Sequence, residues 1–326
     1  GRALLEALGA RHVALWSPAH TEERLAIAGE LVAAARAAGD REAELQGLNW
    51  RVVDLYELGD LEALRATAAE HERLADALRL PAYAFFAPMW RASLALLAGR
   101  HDEAARIHAG GAELARLARD DNARLLLETQ RLSLHASGGG FAADDAEIVG
   151  RRLATSRARA GWLVALTVHR YTGGDRAAAR EAFAAGVAAF ADAEPDANWL
   201  YSATGLGVLA ERFGDREAAE LLYRALAPYG HRIVTIARGS YCTGSAQLAL
   251  GMLAIARADR AAAAAHLEAA IRANDALGAP VYAAAARSAL AGLTADAERA
   301  AALRAAARLT GDPVGWAFPD ALVWRL

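Results

Sequence analysis

Apolar residues recur at α-helical spacing along most of the chain, in segments that end at short turns rich in Gly and Asp. In the segment 201–229, one apolar helix is predicted to run into Gly214 and a second to begin after Asp215. Similar turns occur at Gly59-Asp60, Gly99-Arg100-His101-Asp102, Gly174-Asp175 and Ala258-Asp259. Gly tolerates the positive φ of a tight turn, and Asp accepts hydrogen bonds from the free N–H groups of the next helix. The pattern therefore predicts pairs of helices joined by capped turns.

The same periodicity predicts a helix for nearly every segment between these turns. The predicted helices cover residues 1–14, 22–38, 41–58, 61–80, 82–98, 102–119, 122–136, 142–156, 161–171, 175–191, 196–213, 215–227, 241–256, 259–277, 281–293 and 295–309. The longest stretch without this periodicity is 228–240, which we expect to be irregular or extended. Ala, Leu, Arg and Glu dominate the composition and are strong helix formers, so the predicted fold class is all-α.

The turns fall at positions 59, 99, 139, 174, 214 and 258, about 40 residues apart, with the triple Gly at 138–140 supplying the third. A regular period in this range is typical of an α-solenoid, in which each helix pair buries its apolar face against its neighbours. Two further features match the tetratricopeptide repeat (TPR). Leu-Gly precedes the turn at Leu206-Gly207 and Leu250-Gly251, and the Ala-x3-Phe pattern follows it at Ala179…Phe183, Ala219…Tyr223 and Ala263…Leu267.

The segments WRVVDLYELGD, RASLALLAGRHDEAARI and LAPYGHRIVTIARGSYCTGSAQLALGMLA resemble the TPR region of large actinobacterial signalling ATPases. These are the MalT-like regulators of the STAND class and related cyclase–ATPase fusions, and the resemblance covers about residues 10–295. The turn spacing and the TPR features predict a right-handed α-solenoid of about six to seven TPR-like pairs over residues 1–310, with 311–326 as a C-terminal tail or cap. The resemblance implies a sensor or scaffold role in signal transduction and transcription regulation, beside an ATPase module on the same protein. It transfers no catalytic residue.

Composition and charge reduce the number of functions that the sequence allows. The net charge is -3, from 36 basic and 39 acidic residues, so we expect no direct binding of nucleic acid. Every basic residue is Arg, and a Walker A phosphate loop needs Lys, so the chain carries no P-loop site. The single cysteine, Cys242, favours a reducing cytoplasm, and no apolar run is long enough to cross a membrane. The chain begins inside a predicted helix without an initiator Met, so we expect it to be a fragment of a longer protein.

Side chains on the first helix of each pair are expected to line the concave side of the solenoid. Aromatic, amide and hydroxyl groups there suit a peptide, a protein partner or a small-molecule inducer. The predicted ligand-binding residues are Gln46, Asn49, Arg51, Tyr56, Phe86, Met89, Arg91, Thr129, Arg131, Tyr171, Tyr201 and Thr204. The alternative is that part of this set fills the interior of the superhelix.

Arg51, Arg91 and Arg131 are spaced 40 residues apart, and each lies eight residues before its turn Gly. A TPR normally has an apolar residue at this position, so these guanidinium groups need partners. The simpler interpretation pairs them locally with Asp54, Glu57 and Glu128. The alternative is a groove that binds an acidic peptide or a phosphate-bearing ligand.

Motifs for catalysis or cofactor binding are weak. Residues 205–210, GLGVLA, match a dinucleotide-binding fingerprint, but they lie inside a predicted helix rather than after a strand. The histidines are scattered, so we expect no metal and no cofactor. The prediction is a non-catalytic protein; the alternative is an enzyme or small-molecule-binding protein with its site near the irregular stretch 228–244.

Overall fold

The computed structural model describes residues 1–311 except 119, 139, 140, 143 and 157. The α-helices are α1 (Arg2–Ala14), α2 (Thr21–Ala38), α3 (Arg41–Leu58), α4 (Leu61–Leu78), α5 (Pro81–Ala84), α6 (Phe86–Leu97), α7 (His101–Ala118), α8 (Asp121–Ser137), α9 (Asp145–Thr155), α10 (Arg159–Thr172), α11 (Arg176–Ala191), α12 (Trp199–Phe213), α13 (Arg216–Leu226), α14 (Ala246–Ala256), α15 (Arg260–Leu277), α16 (Pro280–Leu293) and α17 (Ala297–Gly311). The strands are β1 (Ile233–Ile236) and β2 (Tyr241–Ser245). The all-α prediction is confirmed apart from this one hairpin. The predicted tail beyond Gly311 lies outside the described residues.

The Gly-Asp turns have the predicted geometry. Gly59 and Gly214 have φ of 78° and 64°, and each is followed by an Asp that caps the next helix. Oδ1 of Asp60 accepts a hydrogen bond from the backbone N–H of Ala63 at 3.0 Å, and Asp215 does the same for Ala218. The arrangement recurs at Gly39-Asp40, Gly174-Asp175 and Ala258-Asp259. The predicted turn at Gly139 lies outside the described residues.

Consecutive helices pack on one another along most of the chain, and alternate helices also touch, as α10 does α12, α12 does α14 and α14 does α16. Glycines allow this close approach. A Cβ on Gly207 would lie 3.0 Å from Leu253 on α14, and a Cβ on Gly251 would lie 2.7 Å from Leu267 on α15. The GLGVLA segment is the middle of α12, so the strand that a dinucleotide fingerprint requires is absent there.

The stretch after α13 forms the antiparallel hairpin β1–β2, which confirms the expectation of an extended segment. The prediction that residue 241 begins a helix is wrong, because Tyr241–Ser245 is strand β2. The helix begins at Ala246 instead, where the Ser245 hydroxyl accepts a hydrogen bond from the backbone N–H of Gln247. Gly244, the fourth residue of β2, has a φ of 75°, which Gly adopts without steric cost, and it lies where the strand pairing is irregular.

The hairpin connects parts of the molecule that are distant in sequence. Strand β1 contacts α3 and α12, and strand β2 contacts α6, α8, α15 and α16. Ile233 and Cys242 belong to one apolar core, which also contains residues of α3, early in the chain, and Leu290 of α16, late in the chain. Arg232, just before β1, forms a two-point ion pair with Glu22 on α2, and this pair lowers the pKa of Glu22 to about 2. The hairpin therefore joins the first helices to the last.

Ala258 has φ of 61° at a turn position where the turns at 39, 59, 174 and 214 have Gly. An L-residue with a Cβ pays roughly 1–2 kcal/mol in this conformation. We predict that Ala258→Gly raises the free energy of unfolding by about 0.5–1 kcal/mol, once the greater entropy of Gly in the unfolded chain is subtracted. Urea denaturation measures the change.

The matched control is Gly214→Ala, at a turn of the same geometry. A Cβ there would have no neighbour within 4 Å, so only the backbone conformation opposes it. We expect a loss of about 0.5–1 kcal/mol. A shift of the two variants in the same direction would contradict this explanation of the turns.

Candidate functional site

The hairpin covers several of the residues predicted to line a groove. Tyr56 on α3 and Met89 on α6 are fully buried, and Phe86 is nearly so. A Cβ on Gly239, in the hairpin turn, would lie 3.1 Å from the Tyr56 ring. Asn49 makes a long contact of 3.5 Å with the guanidinium of Arg238. The structure brings these residues together, but the chain's own hairpin occupies the face that they form.

The three periodic arginines have separate environments. Arg91 binds both carboxylate oxygens of Glu72, at 2.6 and 2.7 Å. Arg131 binds Asp144 and Asp145, at 2.9 and 3.2 Å. Arg51 makes no ion pair within the described residues; its Nη1 lies near Gly29 on α2.

The local pairing predicted for these arginines is wrong. Asp54 instead binds His12 at 2.8 Å and Arg24 at 3.2 Å, and Glu57 binds Arg24. Glu128 binds Arg151 and Arg152 on α9. These arginines and acids pair with residues of neighbouring segments rather than with residues of their own helix. The reason is that the side chains of neighbouring segments lie closer to them than the predicted partners do.

The remaining predicted residues divide into two groups. Gln46 and Tyr171 lie away from the cavity described below, and Tyr171 packs under Arg176 and against Phe213. Thr129, Tyr201 and Thr204 line a partly open cavity of about 400 Å³. The structure thus places three residues of the set at one cavity, and the set as a whole stays a prediction.

The cavity lies between the hairpin and helices α8, α10, α12 and α14, and it is mainly apolar. Trp162 and Val164 of α10, Leu209 of α12 and Leu248 of α14 form part of its wall. The walls also include Trp16, Leu126, Leu132, Phe141, Gly161, Ala165, Val168, Val208, Val234, Ile236 and Ala249. A cavity wall with this much apolar surface favours the binding of an apolar ligand over occupation by water.

Polar atoms form the smaller part of the cavity surface, and three phenols are among the groups that supply them. Tyr241 and Tyr282 share a hydrogen bond between their hydroxyls at 2.9 Å, and Tyr282 also donates to the Cys242 carbonyl. The hydroxyl of Tyr201 has no hydrogen-bond partner within the described part of the chain. Burial raises the pKa of Tyr201, so its phenol stays protonated and can donate or accept.

Arg238 is the only charged residue among the cavity-lining residues that the structure describes. It lies in the hairpin turn, and no carboxylate of the described residues is within ion-pair distance of it. Its guanidinium lies 5.6 Å from the centre of the Trp16 ring. Burial lowers the pKa of Arg238, which means that its charge is poorly solvated in this place.

The hairpin turn that carries Arg238 has an unusual backbone. Ala237, Arg238 and Gly239 all have positive φ, at 49°, 55° and 76°. Three side chains from different segments of the chain fix it. Trp90 Nε1 donates to the Arg238 carbonyl at 3.0 Å, and Gln130 Nε2 donates to the Ser240 carbonyl at 2.7 Å. Oδ1 of Asn198, just before α12, accepts from the Ala237 N–H at 3.2 Å. Surrounding contacts therefore impose a conformation that the turn residues themselves disfavour.

The stretch 228–244 does not assemble an activated nucleophile. Burial raises the pKa of the Cys242 thiol to about 12, so it stays protonated. Ser240 donates its hydroxyl to the Ile236 carbonyl, and Ser245 caps α14. Neither hydroxyl hydrogen-bonds a histidine within the described residues. The stretch contributes cavity wall rather than reactive groups.

Sequence reasoning missed most of the cavity because its walls come from helices far apart in the chain. One local signal was available. Arg238 is the only charged residue in the segment 233–245, which is otherwise apolar or uncharged and holds both strands. A lone charge in a buried hairpin is the feature that could have identified the site.

No protein-family model matches the chain, and no curated protein matches its sequence. Within the described residues, none of the helices combines the length and apolar character needed to span a lipid bilayer. The same part of the chain contains no cluster of His, Cys, Asp and Glu suited to hold a metal ion.

His71 on α4 is a buried histidine whose two ring nitrogens lack hydrogen-bond partners in the described structure. The rings of Tyr83, Phe86 and Trp90 surround it. Burial lowers the pKa of His71 from 6.5 to about 4. His71 therefore takes up a proton below pH 6.5 in the unfolded chain, but only near pH 4 in the folded chain.

We predict that this histidine makes the fold less stable in acid. Its contribution is present above pH 6.5 and is lost as the pH falls toward 4, by about 3 kcal/mol. The free energy of unfolding, measured by urea denaturation, should therefore fall less between pH 7 and pH 4.5 in His71→Leu than in the unmodified chain. The exposed His231 supplies the control: His231→Gln should leave the loss unchanged. An identical pH dependence in His71→Leu and the unmodified chain would contradict the assignment.

Proposed function

We propose that this chain is the ligand-sensing region of a regulatory protein, built as a right-handed α-solenoid of TPR-like pairs, and that it binds a small apolar molecule in the cavity beneath the hairpin. The observation that carries the proposal is the partly open cavity of about 400 Å³ with a mainly apolar wall. Small-molecule sites occupy roughly 300–1,000 Å³ and have this character.

The solenoid part of the proposal rests on the repeated turns and on packing. Asp-capped turns occur at 40, 60, 175, 215 and 259, the last three about 40 residues apart. Most helices pack on their neighbours in sequence, and several also pack on alternate helices. This is the contact pattern that repeat proteins use to share one core among helix pairs. The resemblance to STAND-class regulators suggests the setting, in which an ATPase module and an effector adjoin the sensor.

A small molecule fits this structure better than a peptide. Peptides bind TPR-type folds along an open concave face, where the extended chain reaches several helices. In this protein the hairpin already contacts α3, α6, α8, α12, α15 and α16. It thus takes the place that a peptide would need, and the space left over is a cavity of about 400 Å³, which is the size of a small-molecule site.

The hairpin also supplies a means of passing a signal. Val234, Ile236 and Tyr241 line the cavity, while other residues of the hairpin contact helices at both ends of the chain. A ligand that packs against these strands stabilises the state in which the hairpin is seated. Ligand binding would then fix the relative positions of the first and last helices, which the adjoining modules would sense.

The test is to fill the cavity. Nile red, a neutral apolar dye, should bind the unmodified chain saturably with one molecule per chain and increased fluorescence. Ala165 on α10 lines the cavity, so Ala165→Trp places an indole inside it. We expect this variant to bind the dye at least tenfold more weakly, because the space is occupied.

The control is Ala188→Trp, since Ala188 is exposed on α11 and is not part of the cavity wall. It should bind the dye as the unmodified chain does. Circular dichroism checks that both variants keep their helices. Equal dye binding by Ala165→Trp and Ala188→Trp would contradict the proposed site.

A further inference from the structure

The chemistry of the cavity is more specific than its apolar wall suggests, because one of its lining residues carries a positive charge. Arg238 lines the cavity, and every other lining residue that the structure describes is uncharged. A guanidinium group keeps its proton in any protein environment. Arg238 must therefore hold a charge against an apolar space, which is unfavourable without a partner.

No carboxylate of the described residues lies within ion-pair distance of Arg238, and Asp120 acts on it only from farther away. The fully buried arginines, by contrast, are matched: Arg24 binds Asp54 and Glu57, and Arg232 binds Glu22. For Arg238 the contacts are the long one to the Asn49 amide oxygen and the face of Trp16. Both are weaker partners for a cation than a carboxylate.

The backbone around Arg238 is held in a conformation of high energy. A non-Gly residue with positive φ is costly, and here Ala237 and Arg238 are two in succession. Hydrogen bonds from Trp90 and to Asn198 keep the turn in place. Strain of this kind is found where a side chain must be presented to a ligand.

We propose that the cavity binds an amphipathic monoanion: a free carboxylic acid with an alkyl or aromatic body. The carboxylate pairs with Arg238, and the body lies against Trp162, Val164 and Leu209. A single guanidinium among neutral neighbours suits one negative charge better than the two of a phosphate monoester. This inference rests on the proposed function, because it names the class of ligand for the same cavity.

The test compares three molecules with the same alkyl chain: decanoate, decanol and decylamine. Their binding is measured by displacement of Nile red and by isothermal titration calorimetry, below the concentrations at which they aggregate. A desolvated charge-assisted hydrogen bond contributes about 1.5–3 kcal/mol, so decanoate should bind about ten- to a hundredfold more tightly than decanol. Decylamine should bind most weakly, because its ammonium is repelled by Arg238.

Arg238→Met keeps the length of the side chain and removes its charge. In this variant decanoate should lose its ten- to a hundredfold advantage, while the affinity for decanol stays the same. The matched control is Arg79→Met: Arg79 also has positive φ, at 51°, but it is exposed and lies outside the cavity. It should leave the preference for decanoate intact. Should Arg238→Met fail to fold, Arg238→Lys keeps a charge and is expected to retain part of the preference.

The outcomes separate the two proposals. Equal binding of decanoate and decanol by the unmodified chain, with Nile red still displaced, would overturn the assignment of an anionic ligand and leave the cavity as an apolar site. A full preference for decanoate in Arg238→Met would overturn that assignment as well. Failure of Nile red and all three decyl compounds to bind would overturn the proposed function itself.

Discussion

A hairpin surrounded by helices must find hydrogen-bond partners for backbone groups that the strands leave unpaired. Buried N–H and C=O groups without partners are expensive, and side chains from four segments of the chain supply them here. Trp90 and Gln130 donate to carbonyls of the turn, and Asn198 accepts from its N–H. Asn274 on α15 accepts from the N–H of Ser245 at the end of β2. The position of the hairpin is thus fixed by specific polar contacts as well as by its apolar core.

The helices and the cavity both depend on this arrangement. With the hairpin seated, α3 and α6 bury Tyr56 and Met89 against it, and helices from both ends of the chain share one core. The space between the hairpin and α8, α10 and α12 is left as an apolar cavity with Arg238 at its wall. A ligand in that cavity would contact the element that joins the two ends, which is why binding and the overall arrangement of helices are expected to be coupled.

The sequence predicted the helices and turns well because their causes are local. Gly59 and Asp60, for example, determine the backbone conformation and hydrogen bonding of their own turn. The hairpin was expected only as an irregular or extended stretch, and the helix predicted from residue 241 began five residues late, at Ala246. The partners of Arg91, Arg131 and Glu128 could not be predicted, because they lie on neighbouring segments. Likewise, the cavity depends on how distant segments meet, and of the predicted site residues only Thr129, Tyr201 and Thr204 reach it.

The seating of the hairpin among the helices is the feature on which the cavity and the shared core both depend, and Cys242 reports on it directly. This single thiol lies in β2 and is fully buried. The measurement is its rate of reaction with an aromatic disulfide reagent, in native buffer and in denaturant. We predict that the native thiol reacts at least a hundredfold more slowly than the denatured one, because reaction requires the hairpin to open. Equal rates in the two conditions would contradict a seated hairpin.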